Sequence, residues 1–264
     1  MAILPGTALV TGATAGIGAE FSRQLAARGH DLVLVARDAT RLNSLAVQLR
    51  TLGIAVEVLP ADLADAAGAE RVAARLADSS RPVEVVVNNA GFGLHTDFDL
   101  SPIEDELRLL EVLVTAPLRL SHAALRAMVS RGHGTIINVT SIAAYAPLGP
   151  YSSAKSWLHF FTRWANAFYR PAGVTLTALA PGFVRTEFHE RMGIQRESMA
   201  PRLAWLDAPL VVRQALRHAD RRKAVSIPSV RYRLLIAVLP LLGGVVRAGV
   251  ARRGTARRGR SARP

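Results

Sequence analysis

Thr7-Ala-Leu-Val-Thr-Gly-Ala-Thr-Ala-Gly-Ile-Gly18 is the stretch whose reading decides the fold. Thr7 to Val10 has the apolar, β-branched character of a short strand. A Gly-x-x-x-Gly-x-Gly turn follows, and a helix then runs through about Arg28, closed by Gly29. Asp31-Leu-Val-Leu-Val-Ala36 is a second strand, so the segment is a β-α-β unit. Glycines at 12, 16 and 18 permit a tight turn and close approach of the backbone to a ligand, and the helix N-terminus behind them faces a pyrophosphate. A glycine-lined turn without a ligand reads the same in isolation. Its place in the first β-α-β unit favours a dinucleotide.

The end of the second strand bears on which dinucleotide. An NAD site places an acid there for the ribose 2′-hydroxyl; here the strand ends Val35-Ala36-Arg37, and a guanidinium suits a 2′-phosphate. Asp38 next door weighs against this, and Arg37 read as a plain surface residue remains open. NADP (NADPH) is favoured over NAD.

Working outward, the pattern repeats. A helix is expected over about Ala39 to Leu52, with Leu42, Leu45, Ala46 and Leu49 on one face, then a strand at Ile54–Leu59. Asp62-Leu63 follows that strand, where a side chain can meet an adenine. Another helix precedes the strand Val83–Val87, which leads into Asn88-Asn-Ala-Gly91. Strands alternating with helices predict a parallel sheet covered on both faces. The turns at 11–18, 37, 62–63 and 88–91 then lie at the carboxyl ends of the strands, where such sheets bind ligands.

Tyr151-Ser-Ser-Ala-Lys155 places a phenol and an ammonium on one helix face. The cation is expected to lower the tyrosine pKa toward neutrality, which suits a general acid or base. The chain has 33 Lys+Arg, yet Lys155 and Lys223 are its two lysines; a compact ammonium at 155 is thus an exception to a strong arginine bias.

Taken together, Thr11-Gly-x-x-x-Gly-Ile-Gly18, Asp62-Leu63, Asn88-Asn-Ala-Gly91, Ser141, Tyr151-x-x-x-Lys155 and Pro181-Gly-x-x-x-Thr186 resemble the short-chain dehydrogenase/reductase family, in the family's order and over about residues 5 to 190. The resemblance implies a Rossmann-like α/β fold, a doubly wound parallel sheet of about seven strands, and a nicotinamide cofactor. It implies Tyr151 as acid/base, Lys155 on the nicotinamide ribose and lowering the tyrosine pKa, and Ser141 on the substrate oxygen. Gly12, Thr14, Gly16, Ile17, Gly18, Arg37, Asp62, Leu63, Asn88, Ala90, Gly91, Pro181, Gly182, Val184 and Thr186 would line the cofactor, together with Tyr151 and Lys155. Two positions depart from the family. Leu113 stands where an asparagine commonly supports a proton-carrying water chain. The segment Ser141–Tyr151 is also short, stiffened by Pro147 and Pro150, with Tyr145 placed to intrude.

Farther along, Trp157, Phe161, Trp164 and Phe168 form a stripe read as packing on the sheet. Ala154, Leu158 and Ala165 form another apolar face, so one of the two is available to a dimer or tetramer. Val174–Ala180 is a strand, about 187–206 is expected to be a lid with apolar residues for a lipophilic ketone or alcohol, and Asp207 to cap a helix through about His218. Ala224–Pro228 completes the sheet.

Of the 264 residues, 1–230 are read as one catalytic domain and 231–264 as an apolar, then arginine-rich, extension. The run from Arg231 to Val246, broken by Pro240, is shorter than the roughly 20 residues of a membrane span. Flanked by arginines, it suits a peripheral contact with an anionic membrane, or else docking on the body or a neighbouring subunit. The net charge of +13 gathers toward this end, but no aromatic residue follows Tyr232, so a nucleic-acid partner is not expected. Cysteine is absent and the histidines show no metal-ligand spacing, so neither a disulfide framework nor a metal is expected. The N-terminus carries no secretory pattern, and a cytoplasmic location is expected, with membrane association through the tail open. The leading expectation is an NADPH-dependent oxidoreductase reducing a carbonyl on a hydrophobic substrate, or running the reverse. The alternative is a nucleotide-binding sensor or scaffold with little turnover.

Overall fold

The computed structural model describes residues 5–94, 96–187 and 201–239. Its centre is a parallel sheet in the order β3-β2-β1-β4-β5-β6-β9, the strands being β1 (Thr7–Thr11), β2 (Asp31–Ala36), β3 (Val56–Pro60), β4 (Val83–Asn88), β5 (Gly134–Val139), β6 (Val174–Leu179) and β9 (Val225–Ser226). A separate short pair joins β7 (Val184–Arg185) to β8 (Leu206–Asp207). The order reverses direction between β1 and β4, and that crevice is where a doubly wound sheet takes its ligand.

Helices cover both faces. On one, α1 (Gly16–Ala26) and α2 (Ala39–Arg50) pack Phe21, Leu25, Leu42 and Leu49 against alternate residues of β1 and β2, and α7 (Ala208–Asp220) packs Val212 and Leu216 beside α1 and β6. On the other, α3 (Ala66–Ala77), α5 (Ala116–Arg131) and α6 (Pro150–Tyr169) bury Val72, Leu76, Leu120, Met128 and Ala165. With both faces covered, the central strands read as near-continuous apolar runs rather than alternating ones. A helix α4 (Ile103–Leu110) runs into α5 through a wide π turn, Glu111–Thr115. The combined 29 residues have the length and composition of a membrane span, but Leu109, Leu113, Leu120 and Met128 are fully buried, which makes this a core helix.

Two expectations are corrected. The face of α6 that packs on the body is Ala154, Leu158 and Ala165, joined from the aromatic stripe by Phe161; Trp164 and Phe168 are 55% and 64% exposed and stack on each other at 5.7 Å. Small residues win the inner face because the helix lies close on the sheet, where indole rings have no room. Asp207 does occupy the N-terminal boundary of α7, but its carboxylate does not cap the helix; it accepts a hydrogen bond from Arg185 at 2.8 Å. Much of the expected lid (188–200) and the chain beyond Leu239 lie outside the described residues. A final helix, α8 (Val230–Val238), begins the C-terminal extension.

Candidate active site

The glycine turn is built by its backbone. Gly12 and Gly16 hold φ of +63° and +53°, conformations that a side chain makes costly. A Cβ on Gly18 would collide with the Gly12 carbonyl, and one on Gly12 would reach Asn89 Nδ2 at 2.8 Å. Beyond the turn, α1 starts at Ala15 with no side-chain cap, so its first N–H groups are not taken up by a cap. Ile17 packs into the core beneath them.

Thr11 ties this turn to the end of β4. Its hydroxyl donates to Val87 O at 3.3 Å and accepts from the N–H groups of Asn89 and Ala90 at 2.9 and 3.0 Å. Asn89, which sequence reasoning passed over, closes the crevice by donating from Nδ2 to Thr11 O (2.9 Å) and Gly12 O (3.3 Å). Asn88 does something else. Its amide is buried and donates to Ser121 Oγ (3.2 Å) and Asn138 Oδ1 (2.8 Å), so its side chain turns into the core and not toward the cleft. Strand alternation explains the split, since successive residues leave β4 on opposite faces.

A cleft of about 370 Å³ opens from this crevice, lined by Gly12, Thr14, Arg37, Asp62, Leu63, Ala90 and Gly91 among others. Arg37 stands exposed at its rim, and Asp38, which had counted against a phosphate site, is spent elsewhere: its carboxylate accepts from Arg41 N at 2.9 Å and caps α2. Two more guanidinium groups line the cleft. Arg41 donates to Thr14 O at 3.2 Å and pairs with Glu187 at 3.1 Å. Arg108 pairs with Asp62 at 2.6 Å. Burial pushes the Asp62 carboxyl up, but the Ala64 N–H, Arg108 and Arg37 outweigh it and hold the group below its ordinary value. The uncapped helix start, the glycine cradle and the arginine-rich rim fit a phosphorylated dinucleotide. A larger cleft, about 440 Å³, sits at the opposite edge of the sheet, where Arg75 and Arg81 are paired with Glu57.

Tyr151 and Lys155 lie on the first turns of α6, at the carboxyl edge of β5. Tyr151 is hydrogen-bonded to Ser141, which keeps its place despite the short intervening loop. That loop is a 3-10 turn, Ile142–Tyr145, fixed by Ala143 N donating to Ser141 Oγ at 3.1 Å and by Ser156 Oγ donating to Ala144 O at 2.6 Å. Tyr145 does not intrude; its ring rests on His159 with centroids 4.8 Å apart.

The expected depression of the tyrosine pKa is corrected. Burial pushes the Tyr151 phenol up to about 12, the Ser141 hydrogen bond acting weakly the other way. Burial also lowers Lys155 to about 8. Lys155 Nζ donates to Val139 O at 2.8 Å and stands 5.8 Å from the Tyr151 ring centre. Leu113 contributes to this dryness. Fully buried in the π turn, it meets the space above Gly91, where an added Cβ would lie 2.9 Å from Leu113 Cδ2 and 3.6 Å from Lys155 Nζ. An apolar methyl and the ammonium thus both border the space above Gly91.

Residues 181–186 complete the edge. Pro181 O accepts from Ile142 N at 3.0 Å, Val184 is buried and paired with Leu206, and Thr186 packs against Gly16. The structure therefore brings Ser141, Tyr151, Lys155, Gly91 and the glycine turn to one end of the sheet.

Comparison with known proteins agrees with this geometry. The short chain dehydrogenase family matches over residues 6–197. The chain is 37% identical over 209 residues to galactitol 2-dehydrogenase (L-tagatose-forming) of Cereibacter sphaeroides, covering 76% of this chain and 78% of that one. To the short-chain reductase protein NovJ of Streptomyces niveus it is 36% identical over 200 residues, 73% and 76% of the two chains. Among solved structures, a short-chain dehydrogenase from Sphingobium yanoikuyae in complex with NADPH superposes with a TM-score of 0.82 at 36% identity, over 90% of this chain and 95% of that one. A bulky-bulky ketone specific alcohol dehydrogenase from Comamonas testosteroni gives 0.77 at 31% identity, over 91% and 94%. The chain belongs to the short-chain dehydrogenase/reductase family and is an NAD(P)-dependent oxidoreductase acting on alcohol and carbonyl groups.

Proposed function

We propose that this enzyme reduces the carbonyl of a hydrophobic ketone with NADPH. The observation that carries the reading is the group formed by half-buried Ser141 and Tyr151 with buried Lys155, beside a cleft rimmed by Arg37, Arg41 and Arg108. The phenol carries its proton at neutral pH and so has one to donate to a carbonyl oxygen. Ser141 holds that oxygen. Lys155, with donors left over from Val139 O, reaches the nicotinamide ribose, and Ala90, Gly91, Val184 and Thr186 line the nicotinamide end. Gly12, Thr14, Gly16 and Gly18 take the pyrophosphate, Asp62 and Leu63 the adenine, and Arg37 the 2′-phosphate. The bound nicotinamide supplies the hydride. NADPH in the Sphingobium structure and the bulky ketone in the name of the Comamonas enzyme support the cofactor and substrate class.

The catalytic body is assigned to residues 1–230 and the extension to 231–264, in a cytoplasmic enzyme. The exposed aromatic face of α6 is assigned to a homodimer or homotetramer. A second reading, peripheral contact with an anionic membrane, is favoured by one observation: Val230, Leu234, Leu235 and Val238 are exposed on α8 beside Arg231 and Arg233. The test is NADPH oxidation against a panel of lipophilic ketones and 3-oxoacyl thioesters, with Tyr151→Phe as control. Turnover lost in the variant supports the reductase. Tight NADPH binding without Tyr151-dependent turnover on any of them would favour a sensor or scaffold.

A further inference from the structure

The sequence presents residues from 231 onward as an appendage, yet Tyr232 on α8 is 7% exposed while its helix neighbours Val230, Leu234 and Leu235 face outward. Its hydroxyl accepts from Phe183 N at 3.2 Å and donates to Ala204 O at 2.6 Å, so both capacities of the buried group are used. The ring lies flat on Gly182: a Cβ there would collide with Cε2 and Cζ of Tyr232. Gly182 is not among the positive-φ glycines, so the glycine of Pro181-Gly182 answers to this contact rather than to a turn. Around the hydroxyl, Phe183 O accepts from Leu206 N at 2.8 Å, and the Phe183 ring packs on Trp205 at 5.4 Å.

We propose that Tyr232 is a positioning residue for the nicotinamide end of the cleft, fixing the Gly182–Phe183 peptide plane and so the backbone of Val184, one residue on. The inference rests on the dinucleotide reading above. The segment from Pro181 to Thr186 is held on its inner side by Ile142 N and by the Thr186 contact with Gly16. Tyr232 and β8 hold its outer side. A backbone that must present a carbonyl and an N–H to a carboxamide tolerates little rotation, and a half-buried Phe183 N–H that has lost the Tyr232 hydroxyl would turn toward another acceptor.

The experiment compares the full chain with Tyr232→Phe, which keeps the ring and removes the hydroxyl. Calorimetric titration with NADPH is set beside titration with adenosine 2′,5′-bisphosphate, which fills the adenosine half alone. We expect NADPH to bind roughly 5- to 30-fold more weakly to the variant, the loss from one unpaired buried group, with the bisphosphate unchanged within about twofold. Arg231→Ala, which removes a neighbouring tether to Leu203 O at 2.7 Å, should leave both ligands as in the parent chain. Unchanged NADPH binding in Tyr232→Phe overturns the assignment, and so does equal weakening of both ligands, which would mean general loosening. A parent chain that binds neither ligand overturns the dinucleotide reading itself, and this inference with it.

Discussion

Replacing Lys155 with methionine should make the protein more stable while removing its activity. The lysine is 4% exposed, and burial lowers its pKa from 10.5 to about 8. A lysine whose folded pKa lies below its unfolded one carries a penalty that is in full force below about pH 8, and the native state gains stability as pH rises from there toward 10.5. At 1.36 kcal/mol per pH unit the penalty is about 3 kcal/mol. Methionine, similar in length and uncharged, escapes it but gives up the hydrogen bond from the charged Nζ to Val139 O, worth about 2 kcal/mol. The net expectation is a variant about 1 kcal/mol more stable at pH 7. Urea unfolding of both proteins at pH 7 and again near pH 10 measures it, and the gap should shrink at the higher pH. Tyr151, raised to about 12, loses stability above pH 10 in both proteins and leaves the difference untouched. A variant less stable than the parent at pH 7, or a gap that does not move with pH, would refute the argument that Lys155 is held in place against its own desolvation.

Thr11→Val keeps the side chain's shape but strands the N–H groups of Asn89 and Ala90; a loss of roughly 2–4 kcal/mol in urea unfolding is expected, with Thr11→Ser restoring most of it. Gly18→Ala drives a Cβ into the Gly12 carbonyl and Asn89 amide, and should cost about 1–3 kcal/mol and weaken NADPH in a titration. Arg37→Ala should weaken NADPH at least tenfold more than NADH, since one charge-assisted contact to phosphate is removed; equal effects on the two cofactors would sink the 2′-phosphate assignment.

The sheet was legible because its signals are local. Apolar runs of five or six residues, glycines at the turns and the 3.6-residue spacing of Leu42, Leu45, Ala46 and Leu49 each act within one element. What escaped is what depends on distance through space. Periodicity separates two faces of α6 but does not say which one is inside, and aromatic size misled where closeness to the sheet decided. Asn88 and Asn89 are one residue apart and lead to opposite sides of a strand, a distinction that alternation along β4 could have supplied. Arg41, Arg108 and Tyr232 owe their roles to partners 146, 46 and 49 residues away, and nothing near them in the chain announces those partners. The tyrosine pKa depends on space in the same way: helical spacing places Lys155 near Tyr151, whereas burial outweighs the Ser141 hydrogen bond in what the phenol feels.

The most direct test of the central claim follows the label. NADPH carrying deuterium at both positions of carbon 4 is incubated with the enzyme and whichever ketone of the panel turns over, and the alcohol is examined by mass spectrometry. Deuterium is expected on the carbinol carbon with the parent chain, and no alcohol with Tyr151→Phe, even though that variant still binds NADPH. Undiminished product from Tyr151→Phe, or product without deuterium, would contradict it.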